Sequence, residues 1–189
     1  MVYQIVRSLV RWFLHIRFNV TVKGKENIPE GAVILAMNHQ TNWDSLLAGT
    51  HTPRKMYIMA KESLFRKKIF AWLITEMGAF PVNREKADIK SLKHTLKLLK
   101  DEKIFSLFIE GSRSETEDMQ DPKKGVGFIV SKSKAPVVPT YIYGVRNTWG
   151  GNAGVVFGKP MYFEGELDYE EISKQVATGI KKLKENLPT

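Results

Sequence analysis

Cysteine is absent from the 189-residue chain, which removes disulfides, a thiolate nucleophile, Cys-based metal sites and any acyl-enzyme held as a thioester. A cytosol-facing protein is the default expectation for such a composition. Long apolar runs are also missing. Nowhere do roughly 18 uncharged apolar residues follow one another, so membrane contact is expected to be peripheral. Several catalytic signatures are lacking as well. No G-x-S-x-G elbow occurs, Ser112 standing instead in G-S-R-S. The histidines, His15, His39, His51 and His94, are scattered without H-E-x-x-H or comparable spacing, so no metal is expected. Neither a G-x-x-x-x-G-K-[ST] nor a G-x-G-x-x-G phosphate loop is found, and no nucleic-acid-binding signature accompanies the basic residues.

What is present is a folded globular composition, 43% hydrophobic and 26% charged, in a length suited to one domain. The formal charge of +9 favours polyanionic partners: an anionic membrane leaflet, a phosphorylated substrate or nucleic acid. Residues 1–18 place Val2, Ile5, Val6, Leu9, Val10, Phe13 and Ile16 on one helical face and Arg7, Arg11 and His15 on another. This basic amphipathic helix reads either as a terminal helix docked on its own core or as an interfacial helix. In the second reading Trp12 and Phe13 sit at headgroup depth and Arg7 and Arg11 meet anionic phosphates.

Residues 19–189 read as one α/β domain. Alternation over Phe18–Val22 and apolar runs at Ala32–Met37, Met56–Met59, Ala79–Val82, Ile104–Ile109 and Val137–Tyr143 predict strands. Helical patterns over Asp44–Gly49, Leu64–Met77, Ile89–Leu99, Gly125–Lys132 and Asp168–Leu187 separate or close them. The alternation predicts a largely parallel mixed sheet flanked by helices.

Three polar clusters follow apolar runs directly: Asn38 to Asp44, Asn83-Arg84, and Glu110-Gly111-Ser112-Arg113-Ser114. Past the carboxyl ends of parallel strands they would line one crevice. His39 is the one side chain there with an ordinary pKa near neutrality, hence the candidate general base, and Asp44 could accept its other ring N–H. Alone, the pair is equally compatible with a loop histidine and an N-cap for a helix from Ser45. Arg84 and Arg113 suit bidentate phosphate binding, although a single arginine is usually a solvated charge. Glu110, ending an apolar run, is expected to be partly buried and to need a partner, and Gly111 permits a tight turn.

These blocks resemble the glycerolipid acyltransferase family, most closely its bacterial 1-acyl-sn-glycerol-3-phosphate acyltransferase branch. Asn38 to Asp44 is similar to the family's N-H-x4-D block, and Gly78-Ala79-Phe80-Pro81-Val82-Asn83-Arg84 to its second block, with Asn83 where Asp is common. Phe108-Ile109-Glu110-Gly111-Ser112-Arg113-Ser114 is similar to F-P-E-G-T-R-S, and Ala135 to Thr140 to the proline-containing fourth block; Lys61 matches a lysine often found between the first two. The resemblance implies acyl transfer from acyl-CoA or acyl carrier protein, as cosubstrate and without a cofactor, to the free hydroxyl of a lysophospholipid. It implies His39 and Asp44 as catalytic residues, and Lys61, Arg84, Glu110, Gly111, Ser112 and Arg113 as acceptor-binding residues. It also implies work at an anionic membrane surface, on the cytoplasmic face. Two alternatives stay open: glycerol 3-phosphate or another lysolipid as acceptor, and a non-enzymatic anionic-lipid-binding module.

Overall fold

All five residues of Val33–Met37 (β2) are buried. Strand alternation divides their side chains between two cores, Val33, Leu35 and Met37 in one and Ile34 and Ala36 in the other. A strand covered on both faces needs no polar side, which is why this stretch is a continuous apolar run. The computed structural model describes residues 2–83, 88–114, 116, 118–146, 149–165 and 168–187.

Within them the elements run α1 (Val2–Arg17), β1 (Asn19–Lys23), β2, α2 (Trp43–His51), β3 (Met56–Lys61), α3 (Lys68–Glu76), β4 (Ala79–Val82) and α4 (Ile89–Lys100). Then follow β5 (Ile104–Phe108), α5 (Gly125–Ser133), β6 (Val137–Tyr143), β7 (Asn152–Phe157) and α6 (Tyr169–Glu185). The described strands form one seven-stranded sheet ordered β1-β7-β6-β2-β5-β3-β4. The run from β6 to β4 is parallel throughout. β7 pairs antiparallel with β6 and parallel with β1, so the outer pair runs against the rest and the predicted mixed, largely parallel sheet is what forms. Leu14 of α1, Leu47 of α2 and Ile74 of α3 pack on one face; Leu99 of α4, Ile129 of α5 and Val176 of α6 pack on the other.

Several boundaries differ from those the sequence predicts. β7 was not anticipated. The helix expected over Leu64–Met77 is instead a 3-10 turn at Glu62–Phe65 followed by α3. Gly78 closes α3 onto β4 with φ +98°, where an added Cβ would lie 2.2 Å from the Met56 carbonyl oxygen; no other residue fits.

The packing of α1 on α2 has a polar seam. Buried His51 donates from Nδ1 to the Leu47 carbonyl (2.8 Å), leaving Nε2 to accept from His15 Nε2 at 3.2 Å. Burial, followed by the nearby charges of Arg11, His15 and Arg7, pushes the His51 pKa down to about 4.

Candidate active site

The antiparallel outer pair has a geometric consequence. The carboxyl ends of β2, β5 and β6 and the amino ends of β1 and β7 all lie at one edge of the sheet. Loops from these strands therefore meet, as ligand crevices of open α/β sheets require.

His39 stands two residues past β2. Its Nδ1 is 2.8 Å from Asp44 Oδ2, and Asp44 is fully buried. A carboxylate can only accept, so the proton sits on Nδ1 and Nε2 carries the lone pair. The same Oδ2 also accepts the backbone N–H groups of Gln40 (2.7 Å) and Thr41 (2.8 Å). One oxygen thus folds the loop back and fixes the imidazole tautomer. Asp44 lies in the first turn of α2 rather than at its N-cap, which is Asn42. Phe108, the last residue of β5, stacks on the imidazole with centroids 3.6 Å apart and planes 7° from parallel, restricting the ring to one plane.

Two buried polar side chains brace this arrangement. Asn38 bonds the β6 backbone like a strand residue, its Nδ2 donating to the Ile142 carbonyl (2.8 Å) and its Oδ1 accepting the Ile142 N–H (2.7 Å). Glu110 is buried, as the apolar run before it implied, and its partners are backbone groups: Oε1 accepts the His39 N–H (2.8 Å) and Oε2 the Gln120 N–H (2.9 Å). Both carboxylate oxygens are thus engaged by backbone N–H groups, one of them that of His39 itself. Gly111 takes φ +74° in the turn, and its N–H donates to the Phe108 carbonyl (3.2 Å). The Ser114 N–H returns to the His39 carbonyl at 2.9 Å, tying the third polar cluster to the first.

Two clefts open nearby. One, of about 470 Å³, is walled by Gln40 to Trp43 together with Arg17, Arg113 and Arg146. Arg146 donates to the carbonyls of Ser114 and Thr116. The other, of about 530 Å³, gathers Lys61, Arg66, Phe65 and Asn83 at the ends of β3 and β4. Lys61 and Arg113 therefore line different clefts. Exposed Ser112 donates to Gln120 Oε1 at 3.3 Å. Arg84 lies outside the described residues.

The residues expected at a membrane divide by face. Arg7 turns inward, its Nε donating to the Thr50 carbonyl (3.1 Å) and its Nη2 to that of Thr52. It satisfies carbonyls at the end of α2, where unpaired C=O groups attract a cation, so it does not stand among the outward residues. Arg11 is exposed. Trp12 (66% exposed) continues a solvent-facing stripe of Val2, Ile5, Leu9 and Ile16, with Phe13 at its side. Ile69 and Trp72 of α3 are exposed as well. Among the described residues no helix is long and apolar enough to cross a membrane.

Sequence reasoning did not single out Arg17, Gln120 or Arg146, and it named Phe108 only as part of a block, without its contact to His39. Each depends on a contact between distant segments, and only Phe108, at the end of an apolar run and the start of the third block, offered a signal.

Comparison with known proteins agrees with this geometry. A family model described as Acyltransferase matches residues 19–143, the span from β1 to the end of β6. The chain is 30% identical over 166 residues to a 1-acyl-sn-glycerol-3-phosphate acyltransferase of Bacillus subtilis (strain 168), covering 85% of this chain and 82% of that protein. It is 29% identical over 198 residues to a protein of the same name from Streptococcus pneumoniae (strain ATCC BAA-255 / R6), covering all of this chain and 71% of that one. In fold it resembles the crystal structure of the 1-acyl-sn-glycerophosphate (LPA) acyltransferase PlsC from Thermotoga maritima, with a TM-score of 0.79 at 24% identity over 99% of this chain and 81% of that chain. With the His-x4-Asp pair assembled at the strand ends inside the matched span, the chain belongs to the acyltransferase family.

Proposed function

We propose that this protein transfers a fatty acyl group from a thioester to the free hydroxyl of 1-acyl-sn-glycerol-3-phosphate, giving phosphatidic acid and a free thiol. The observation that carries the reading is the His39–Asp44 pair, with Nδ1 held at 2.8 Å and Nε2 left as the basic nitrogen beside an arginine-lined cleft. The substrate follows the names of the relatives in Bacillus and Streptococcus.

His39 Nε2 takes the proton of the acceptor hydroxyl as its oxygen attacks the thioester carbonyl. Asp44 stabilises the imidazolium that forms. The tetrahedral intermediate then collapses, breaking the C–S bond, and the departing thiolate recovers the proton from His39. Glu110 holds the His39 backbone through this cycle. Arg113, and Arg84 by its place in the sequence, bind the acceptor phosphate. Lys61 lines a second cleft with Arg66 and serves the same bound substrates from that side. Acyl-CoA or acyl carrier protein supplies the acyl group.

The outer stripe of α1 supports peripheral contact with the cytoplasmic membrane face. Its aromatic and aliphatic residues would enter the interface while Arg11 meets anionic headgroups.

The test is thiol release from palmitoyl-CoA and palmitoyl-carrier protein, with and without lysophosphatidate in mixed micelles, following the lipid product. Acceptor-dependent thiol release with phosphatidate formation is the predicted result. Vesicle binding without turnover on any lysolipid would favour the lipid-binding module instead.

A further inference from the structure

Arg17, the last residue of α1, occupies an unusual position. The chain passes from it into β1, and its carbonyl accepts the Gly150 N–H at 2.8 Å, so its backbone is anchored. Because β1 runs against the parallel strands, this point falls at the catalytic edge of the sheet. The guanidinium carbon lies 4.7 Å from the Phe18 ring centroid, 5.3 Å from Trp43 and 5.6 Å from Trp149. Three aromatic rings thus hold the cation without using its N–H donors. Its Nε is buried and has no hydrogen-bond partner, and no carboxylate lies within ion-pairing distance among the described residues.

Arg113 opens onto the same cleft, likewise without an ion pair among the described residues. Arg146 grips the loop that carries Arg113 through the Ser114 carbonyl. No described acidic residue lines this cleft, and its wall begins one residue after His39. Two guanidinium groups sharing a cleft without a counter-charge suit an anion with several terminal oxygens, and a phosphomonoester offers three oxygens and close to two charges.

We infer that Arg17, with Arg113, forms a phosphate site for the lysolipid acceptor, so that the residue joining the outer helix to the sheet reads the acceptor's headgroup. The inference rests on the proposed reaction for the identity of the ligand. The acceptor is favoured over the donor's phosphates by continuity with the apolar surface. Phe13, at the side of the exposed stripe of α1, packs on both Trp43 (5.8 Å) and Trp149 (6.0 Å) of the cage. A lysolipid whose chain follows that stripe brings its phosphate to Arg17.

The test is calorimetric binding, with no donor present, of short-chain lysophosphatidate and of the monoacylglycerol with the same chain to the wild type, Arg17→Gln, Arg17→Lys and Arg113→Gln. Losing a charge-assisted bidentate contact predicts roughly 10–100-fold weaker lysophosphatidate binding to Arg17→Gln, with monoacylglycerol binding unchanged and Arg17→Lys intermediate. Arg113→Gln should act in the same direction, and the double variant should lose less than the product of the two single effects.

Equal lysophosphatidate affinity in wild type and Arg17→Gln overturns the inference. Parallel loss of both ligands also overturns it, since that assigns Arg17 to structure alone. Should Arg17→Gln fail to fold, Arg17→Lys decides by the same ratio of the two affinities. A third contrary result is intact lysophosphatidate binding with a selective rise in KM for palmitoyl-CoA over palmitoyl-pantetheine, which would move Arg17 to the donor. Arg17-dependent binding in a wild type that never acylates lysophosphatidate would instead sink the proposed reaction and leave the phosphate site standing.

Discussion

Replacing Asp44 with asparagine removes one charge and leaves the loop's shape nearly unchanged, so its effect can be worked out from the contacts. Asp44 Oδ2 accepts three N–H groups, from His39 Nδ1, Gln40 and Thr41, while Oδ1 is buried without a hydrogen-bond partner among the described residues. If the asparagine oxygen keeps the three donors, its NH2 replaces Oδ1 and is buried unsatisfied, at a stability cost of ~1–3 kcal/mol. The imidazolium then loses a charge-assisted hydrogen bond worth ~1.5–3 kcal/mol, about 10–150-fold in rate. If the amide turns over, its NH2 faces Nδ1, the proton moves to Nε2 and the base is lost. The equivalent tautomer error in the serine-protease triad lowers turnover ~10⁴-fold. Asp44→Asn is therefore expected to lower kcat by roughly 10²–10⁴-fold, with acceptor KM changed only a few-fold. Steady-state thiol release measures the first, and urea unfolding checks that the protein is folded. A folded variant within about threefold of wild-type kcat would refute the role given to Asp44.

Other perturbations follow from the same contacts. Glu110→Gln can present an oxygen to only one of its two backbone donors, so stability should fall by ~1–3 kcal/mol and kcat should fall with little change in acceptor KM; a rise confined to acceptor KM would instead favour direct acceptor binding by Glu110. His51 has a folded pKa of about 4 against 6.5 for the free side chain, so the unfolded chain binds the extra proton. Stability is then full above about pH 6.5 and lost as pH falls towards 4, by up to ~3 kcal/mol. Protonation would also set a cation facing Arg7, Arg11 and His15. Urea unfolding at pH 7, 5.5 and 4.5 should show this slope in wild type and a flatter one in His51→Gln; identical slopes would contradict it. Leu9→Glu and Trp12→Glu should each reduce co-sedimentation with anionic vesicles at least tenfold, since burying one such side chain contributes ~1.5–3 kcal/mol. Arg7→Gln should chiefly lower stability, because its donors are committed to Thr50 and Thr52; unchanged vesicle binding in the Glu variants would argue against the α1 stripe.

The parallel centre of the sheet was readable because strands buried on both faces leave long apolar runs. β7 was not, since it opens with Asn152 and contains Gly154, where a Cβ would lie 2.7 Å from the Thr21 carbonyl oxygen. That close approach of β1 leaves room only for glycine at 154, and it shortens the apolar signal of the strand to Val155-Val156-Phe157. The His39–Asp44 pair was visible because its partners lie only five residues apart, His39 in the loop after β2 and Asp44 in the first turn of α2. Glu110 was legible as a buried carboxylate, yet its partners, the N–H groups of His39 and Gln120, could not be read from residue types. On α1 the apolar face was correctly legible as a stripe, but sequence periodicity does not say which face meets the protein. Arg7 consequently faces the carbonyls of α2, and Arg17, indistinguishable in sequence from any basic helix end, lies inside an aromatic cage.

The central claim, that His39 Nε2 takes the acceptor's proton, is tested most directly by comparing wild type with His39→Ala in lysophosphatidate-dependent thiol release, with folding verified by urea unfolding. A general base contributes ~10²–10⁴-fold, so a fall in kcat of at least about 100-fold with phosphatidate formation lost is the predicted result; a folded His39→Ala protein that retains near-wild-type turnover would contradict the account.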